Sequence, residues 1–320
     1  MRAFAIKTLL FLLPFILIIS IEIYVDPFNF FSAEKNEKLL AIKSNISGKD
    51  NPYLYKLIEY DRNPGTIILL GDSRTGLLFP SLFDSSLHNQ VSNLSIGGGT
   101  LQDAFEIFRY VIGKHKISKV FMGIAIETYS GTLLRNRAKP SIEIKNSVLL
   151  YLLNRYTFTS TMLVSRSYLF NEQIDLYKPP ESRDEFWQSQ LELSSRYLDN
   201  YSYPENYYEE LKKLSDYCLA NNIHLSFILS PTHVDLQKKI HEHHLDKEYA
   251  HFKNDIQEFG DVYDFNYPNE ITTDKSNFGD PYHHTIHISQ IIVDEISGKK
   301  IKYARFSPRI GSTEKQAEKK

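Results

Sequence analysis

The sequence predicts an α/β domain with a parallel sheet, preceded by one membrane-spanning helix. Short apolar runs alternate with segments of helical apolar spacing, the pattern of parallel strands joined by helical crossovers. A separate apolar run lies at the N-terminus, and a long stretch between two strands is irregular and aromatic. We therefore divide the 320 residues into an anchor (1–25), a lead-in (26–65), an α/β domain (66–300) with a helical insertion (about 131–208), and a disordered tail (301–320).

The N-terminal apolar run covers residues 8–25, TLLFLLPFILIISIEIYV, and is interrupted only by Pro14 and Glu22. About 20 apolar residues at ~1.5 Å each span a hydrocarbon core of ~30 Å. Because Arg2 and Lys7 precede the run, we expect a cytoplasmic N-terminus, with the rest of the chain across the membrane. A cleaved signal peptide and a buried helix are the alternatives, although no small-x-small cleavage site follows the run.

Five short segments predict the strands. Residues 66–70 (TIILL) are fully apolar and stand between Pro64-Gly65 and Gly71, which is typical of a strand buried on both faces. The other predicted strands are residues 91–96, 120–126, 224–229 and 262–265. Helical apolar spacing occurs at residues 103–112, 208–220 and 286–296.

The predicted insertion holds much of an aromatic content of 13%, which comprises 21 Tyr, 20 Phe and one Trp. A loop of that length without structure is uncommon, so the insertion should be helical. Its aromatic side chains have two interpretations: they pack the insertion against the sheet, or they face carbohydrate, since aromatic rings stack on sugars while keeping a polar tip.

Composition excludes several classes of protein. The content of 42% hydrophobic and 24% charged residues is typical of a globular protein. A nucleic-acid binder is usually far more basic than this chain, which has a net charge of -2. Cys218 is the one cysteine, so an intramolecular disulfide and a cysteine zinc site are excluded. The histidines in residues 241–244 (HEHH) lack the H-E-x-x-H spacing of a zinc site. We expect no metal and no cofactor.

A serine follows the first predicted strand, in the sequence Gly71-Asp72-Ser73-Arg74-Thr75. Ligands of open α/β sheets bind at the carboxyl ends of the strands, and the N–H groups that begin the next helix favour an anion. A serine hydroxyl there becomes a nucleophile when a base reaches it. The alternative is an ordinary helix cap, because Asp and Ser are both favoured N-cap residues.

Two more segments carry groups that such a nucleophile needs. Asp280 and His283 have a spacing that lets a carboxylate orient an imidazole towards a serine, although a surface turn before a helix is the alternative. The glycines at residues 97–99 follow the second predicted strand and let backbone N–H groups approach a developing oxyanion; a tight turn is the alternative here.

In this order, Gly-Asp-Ser, Asn93-x-x-x-x-Gly98 and Asp280-x-x-His283 resemble the motifs of the SGNH/GDSL hydrolase superfamily, over about residues 66–296. The resemblance implies a flavodoxin-like three-layer α/β/α sandwich. It also implies that Ser73 is the nucleophile, His283 the base and Asp280 its orienting acid. The backbone N–H groups of Ser73 and Gly98 would form the oxyanion hole.

One motif of that superfamily is missing. Its members usually have Gly-x-Asn-Asp after the third strand, and the Asn donates into the oxyanion hole, whereas residues 123–129 here read GIAIETY. An ionised Glu127 accepts hydrogen bonds and cannot replace that donor, whose loss costs about 10²–10³ in rate. Candidate substrate contacts are Arg74 for an anionic group, Thr128 through its hydroxyl, and His233 at the end of the fourth strand.

An N-terminal span before such a domain resembles bacterial envelope proteins that modify polysaccharides, namely relatives of alginate-type O-acetyltransferases and of the teichoic-acid D-alanylation protein. The resemblance implies an acyl-ester or glycan substrate outside the cytoplasm and a membrane acyl-donor partner. We therefore expect a membrane-anchored serine esterase or acyltransferase. The alternative is a catalytically inactive envelope protein that binds or assembles and has kept the fold.

Overall fold

A computed structural model describes residues 1–177, 180 and 182–310 of the chain, and of these it leaves out the side chains of residues 2, 3 and 5. The strands are β1 (Ile67–Leu70), β2 (Val91–Asn93), β3 (Lys119–Gly123), β4 (His224–Leu229), β5 (Asp261–Asp264) and β6 (Arg305–Ser307). The helices are α1 (Arg2–Val25), α2 (Glu37–Asp50), α3 (Pro52–Arg62), α4 (Ser73–Gly76), α5 (Leu101–Ile112), α6 (Ala138–Lys145), α7 (Val148–Leu152), α8 (Arg155–Phe170), α9 (Arg183–Asp199), α10 (Glu205–Ala220), α11 (Val234–Glu242), α12 (Asp246–Phe259) and α13 (Ile286–Ile296).

The contacts between residues divide the chain into two units. The N-terminal unit comprises Met1–Asn63 and Arg137–Pro179, and the sheet unit comprises Pro64–Asn136 and Pro180–Lys320. This division differs from the boundaries predicted from the sequence. Residues 26–63 are grouped with α1, and residues 131–208 are shared between the units, since α6, α7 and α8 belong to the N-terminal unit and α9 belongs to the sheet unit.

Helix α1 carries the predicted membrane span. Its segment Ile6–Val25 has a mean hydropathy of 2.4 and is long and apolar enough to cross a membrane, a test that an N-terminal signal sequence also passes. The helix ends at Asp26, which has a left-handed backbone conformation. The Asp26 carboxylate accepts hydrogen bonds from three backbone N–H groups and from the Tyr151 hydroxyl on α7. Burial and this carboxylate raise the pKa of Tyr151, so the phenol stays a donor.

The sheet has the strand order β2-β1-β3-β4-β5-β6. The first five strands are parallel, and β6 pairs antiparallel with β5. The order of the parallel strands is that of flavodoxin-like folds, in which the crevice at the carboxyl ends of β1 and β3 is the usual place for a ligand. The segment after β1 therefore begins at the position in the sheet where a site is expected.

Helices cover both faces of the sheet. On one face α5, α10 and α12 pack against β1, β4 and β5. On the other face Leu69, Phe121 and Ile228 of the strands belong to one apolar cluster with residues of α13 and with Trp187 of α9. The predicted α/β fold with helices on either side of a mostly parallel sheet is confirmed.

The segment predicted as a disordered tail contributes strand β6 to the edge of the sheet. The buried carboxylate of Glu295 on α13 accepts hydrogen bonds from the backbone N–H groups of Lys302, Tyr303 and Ala304 and so directs the chain back to β5. The polar composition of the segment hides this, because its partner is a single glutamate several residues earlier. Residues 311–320 lie outside the described residues.

The largest aromatic side chains of the predicted insertion pack inside the protein. Tyr151 in the N-terminal unit, and Trp187 and Tyr207 in the sheet unit, are at most 1% exposed. The packing interpretation therefore holds for these three residues. Others are on the surface, among them Phe158, Tyr168, Phe170, Tyr177 and Tyr197.

Three small residues fix the turn after β1. Gly71 has a φ of +144°, and an added Cβ would lie 2.7 Å from Thr75 Oγ1. At the end of β3, a Cβ on Gly123 would lie 1.6 Å from the same atom. Thr75 is fully buried, so neither strand end tolerates a side chain unless the turn moves.

We predict that Gly123→Ala lowers the free energy of unfolding by about 1–3 kcal/mol, because the new methyl group overpacks the Thr75 turn. Gly97→Ala is the matched control, since a Cβ at residue 97 has no neighbour within 4 Å. Urea unfolding of both variants measures the difference. Equal stabilities of the two variants would contradict this account of the turn.

Candidate active site

The turn after β1 presents the Ser73 hydroxyl at the carboxyl end of the sheet. Asp72 is the N-cap of the single-turn helix α4, and its Oδ1 accepts a hydrogen bond of 2.9 Å from the N–H of Arg74. Of the two candidate caps, Asp72 takes that role, which leaves the Ser73 side chain for another partner. The serine itself is partly exposed to solvent.

The structure brings Ser73, His283 and Asp280 together. Ser73 Oγ lies 2.6 Å from His283 Nε2, and His283 Nδ1 lies 2.7 Å from Asp280 Oδ2. With its proton on Nδ1, the imidazole donates to the carboxylate and accepts from the serine hydroxyl. Both distances fall within the hydrogen-bond range that a nucleophile, base and orienting acid require.

Asp280 is held as a carboxylate. Burial opposes its ionisation, but hydrogen bonds from His283 and from the backbone N–H groups of Tyr282 and His283 outweigh burial and keep the pKa of Asp280 below its usual value. The Asp280 side chain is 10% exposed and the His283 side chain 35% exposed. The acid is therefore shielded, while the imidazole and the serine remain accessible from solvent.

Backbone hydrogen bonds fix the loop that carries Asp280 and His283. The N–H of Gly279 donates to the His283 carbonyl at 2.8 Å, and the N–H of Thr285 donates to the Asn277 carbonyl at 2.8 Å. The N–H of His233 also donates to the carbonyl of Pro281, which ties the loop to the end of β4. The short Asp-x-x-His spacing thus belongs to a closed loop.

The glycine loop at residues 97–99 runs beside the serine turn. The N–H of Ile96 donates to the Gly71 carbonyl at 3.1 Å, and a Cβ on Gly99 would lie 3.0 Å from that carbonyl oxygen. Gly98 has a φ of +61°, a left-handed conformation that favours glycine. The loop therefore contacts the turn that carries Ser73, and the assignment of Ser73 and Gly98 as oxyanion-hole donors stays a prediction.

The segment after β3 uses its polar groups within the protein. Thr128 Oγ1 donates to the Ala125 carbonyl at 2.9 Å and accepts from the Ala125 N–H at 3.2 Å. Glu127 lies 4.0 Å from a guanidinium nitrogen of Arg74, and Asp72 accepts from Nε of Arg74 at 2.9 Å. Arg74 is 6% exposed. Although burial opposes the charge of Arg74, the two carboxylates raise its pKa.

These contacts bear on the predicted substrate contacts. The guanidinium of Arg74 is paired with protein carboxylates, and the hydroxyl of Thr128 is bonded within its own turn. His233 is 6% exposed, packs against Trp187 and Phe278, and accepts at Nδ1 from the N–H of Asp235 as the cap of α11. Each of the three residues thus has contacts within the protein, and substrate contact by any of them stays a prediction.

The structure gives a role to three residues around the site for which the sequence analysis proposed none. Asn93 donates through Nδ2 to the carbonyls of Thr75 and Leu78, and so holds the serine turn against β2. Tyr282 covers the Arg74 guanidinium, with 5.6 Å between Cζ and the ring centroid. His284 is 3% exposed, and Ser289 Oγ lies 3.2 Å from its Nδ1. Asn93 stands in one of the quoted motifs, and Tyr282 and His284 flank His283 in sequence, which was the available signal for each.

Comparisons with known proteins found matches among solved structures only. No protein-family model matches the sequence, and no curated protein matches it. Among solved structures, a candidate acylhydrolase from Bacteroides fragilis has a TM-score of 0.37 and 13% identity, with 75% of this chain and 93% of that chain covered. A candidate lipolytic protein of the G-D-S-L family from Desulfitobacterium hafniense has a TM-score of 0.34 and 14% identity, with 73% and 98% covered. The chemistry of this chain has to be inferred from its own side chains.

Protonation of His284 should limit stability in acid. Burial lowers the pKa of His284 to about 4, whereas a histidine of the unfolded chain titrates near ~6.5. Between these values the unfolded chain binds more protons, so the free energy of unfolding falls as the pH drops, by up to about 3 kcal/mol. We predict that His284→Phe flattens this dependence in urea unfolding between about pH 7 and pH 4.

Ser289→Ala is the control for His284→Phe, because it removes the hydroxyl beside Nδ1 and keeps the imidazole. That variant should retain the slope of the wild-type protein. A His284→Phe protein with the wild-type slope would rule out His284 as the titrating group.

Proposed function

We propose that this chain is a membrane-anchored serine esterase or acyltransferase of the SGNH type, acting on acyl esters of an envelope polysaccharide or a related glycan. The observation that carries the proposal is the hydrogen-bonded series from Ser73 through His283 to Asp280, with distances of 2.6 and 2.7 Å. Neither a helix cap nor a surface turn requires Ser73 to meet an Asp-His pair 210 residues away at the carboxyl end of β1.

The geometry supports the following reaction. Ser73 Oγ attacks the ester carbonyl carbon while His283 Nε2 takes the hydroxyl proton, and Asp280 stabilises the resulting imidazolium. The tetrahedral intermediate collapses, the C–O bond to the alcohol breaks, and His283 returns the proton to the leaving oxygen. Water or a sugar hydroxyl then repeats the sequence on the acyl-serine and releases an acid or a new ester.

The proposed oxyanion hole has fewer donors than is usual for the superfamily. The N–H groups of Ser73 and Gly98 are the proposed donors, and the segment after β3 offers Glu127 and Thr128 in place of the usual Asn. Glu127 accepts hydrogen bonds, and the Thr128 proton is given to the Ala125 carbonyl. A hole with two donors stabilises the oxyanion less, which costs about 10²–10³ in rate. Such a site is compatible with a slow enzyme, whether water or a sugar hydroxyl accepts the acyl group.

The apolar helix α1 supports the location that we propose. An uncleaved span with Arg2 and Lys7 on its cytoplasmic side would hold the sheet unit outside the cytoplasm, beside the envelope glycans. A membrane partner would then supply the acyl group to Ser73. Both the glycan substrate and the acyl-donor partner rest on the resemblance of the motifs to envelope members of the superfamily.

The second candidate function is a catalytically inactive envelope protein that binds or assembles. Two observations favour it: the Thr128 hydroxyl already donates to the Ala125 carbonyl, and residues 123–129 contain no Asn. The two functions differ in the reactivity of Ser73, because only an enzyme requires a serine activated by a base.

Covalent labelling of the serine distinguishes the two functions. We predict that an activated alkyl fluorophosphonate labels the folded wild-type protein at Ser73, that Ser73→Ala abolishes labelling, and that His283→Ala lowers its rate at least about 100-fold through loss of the base. Mass spectrometry of the labelled peptide identifies the residue. Ser85→Ala, at an exposed serine of the sheet unit, should label like the wild type. Folded protein that resists the reagent would favour the inactive function.

We further predict that Asp280→Asn lowers kcat for an activated ester such as p-nitrophenyl acetate by about 10⁴, because an amide can hold the imidazole in the wrong tautomer. The measurement is kcat per folded protein, with the folded fraction of each variant determined by circular dichroism. Asp274→Asn is the matched control, since Asp274 caps a neighbouring turn through the N–H of Ser276 and makes no contact with His283 among the described hydrogen bonds. A similar fall in both variants would point to damage to the loop.

A further inference from the structure

The N-terminal unit has an exposed apolar surface beside the predicted span. On and after α7, Val148, Leu149, Leu150 and Leu153 are 53%, 65%, 47% and 66% exposed. Exposed apolar surface costs roughly 25 cal/mol per Å² in water, and a continuous patch marks a partner or a membrane. Because α7 and α8 contact α1, a membrane that surrounds α1 would reach this patch as well.

A groove runs between α1 and the start of α8. It has a volume of about 260 Å³. The apolar residues that line it are Phe15, Ile18 and Ile19 of α1 and Leu152, Leu153 and Phe158 of the facing segment. From residue 15 to residue 22 the groove follows α1 for about 10 Å. This length and lining suit one hydrocarbon chain better than a sugar or a peptide.

The far end of the groove is polar. Glu22 lines it, is 2% exposed, and its Oε2 has no hydrogen-bond partner within the part of the chain that the structure describes. A buried carboxylate oxygen without a donor is costly, and ionisable groups in a membrane span commonly serve a ligand. Arg155, which is exposed, also lines the groove, and its guanidinium offers N–H donors to an anion.

We propose that this groove binds one phospholipid with a primary-amine headgroup, such as phosphatidylethanolamine. One acyl chain lies along α1, the ammonium group donates to Glu22, and the phosphate accepts from Arg155. A phosphatidylglycerol lacks the cation, and a phosphatidylcholine has a cation without N–H donors, so neither satisfies Glu22 in this way. The inference rests on the proposed membrane anchoring through α1 and is independent of the chemistry at Ser73.

Native mass spectrometry of the full-length protein, purified in detergent and supplied with equal amounts of phosphatidylethanolamine and phosphatidylglycerol, tests the proposal. We expect one phosphatidylethanolamine per chain on the wild-type protein. Ile19→Trp, which fills the groove, should reduce retention at least fivefold. Ile16→Trp is the matched control, because it makes the same change three residues away on α1 at a residue that is 49% exposed and outside the groove lining.

The polar end has its own test. Glu22→Gln should keep the acyl chain but remove the preference for phosphatidylethanolamine over phosphatidylglycerol, and Arg155→Gln should weaken retention of both lipids. Wild-type protein without retained lipid, or equal retention by Ile19→Trp and Ile16→Trp, would overturn the proposal. Carbonate extraction reports anchoring and fluorophosphonate labelling reports Ser73, so a failure of either is distinguishable from a failure of the groove.

Discussion

The candidate site depends on the close approach of two strand ends. Gly71 and Gly123 meet around the buried side chain of Thr75, and this contact sets the direction in which the chain leaves β1. Because the strand order reverses at β1, the turn lies at the switch point of the sheet. From there the Ser73 hydroxyl reaches His283, although 210 residues separate the two in sequence.

Buried charges around the turn are arranged in pairs, which explains how a reactive serine can stand between Asp72 and Arg74. Asp72 caps α4 and accepts from Arg74, and Glu127 approaches the guanidinium from the segment after β3. A buried arginine without these carboxylates would carry a large desolvation penalty. The same pairing holds the guanidinium of Arg74, one of the three predicted substrate contacts, and contact of Arg74 with a substrate stays a prediction.

The sequence was sufficient where a short pattern determines the structure. Apolar runs predicted five of the six strands, and three ordered motifs predicted which residues meet at Ser73. It was insufficient where a contact links distant residues that carry no pattern. Glu295 recruits the chain that forms β6, and the Asp26 carboxylate binds Tyr151 in a segment 125 residues away, so neither the strand nor the division into units was visible beforehand.

We propose catalysis for the sheet unit and lipid binding for the N-terminal unit. The hydrogen bonding of buried acids in each unit supports this assignment. In the sheet unit Asp280 accepts a hydrogen bond from His283, and Asp72 accepts one from Arg74. In the N-terminal unit Glu22 is buried with Oε2 lacking any donor among the described residues, next to an apolar groove. A catalytic centre gains from side chains that are already oriented by the protein, whereas a lipid site has to leave a group for the headgroup. This difference supports both proposals, because Glu22 keeps an oxygen for a headgroup whereas Asp280 is already placed to orient His283.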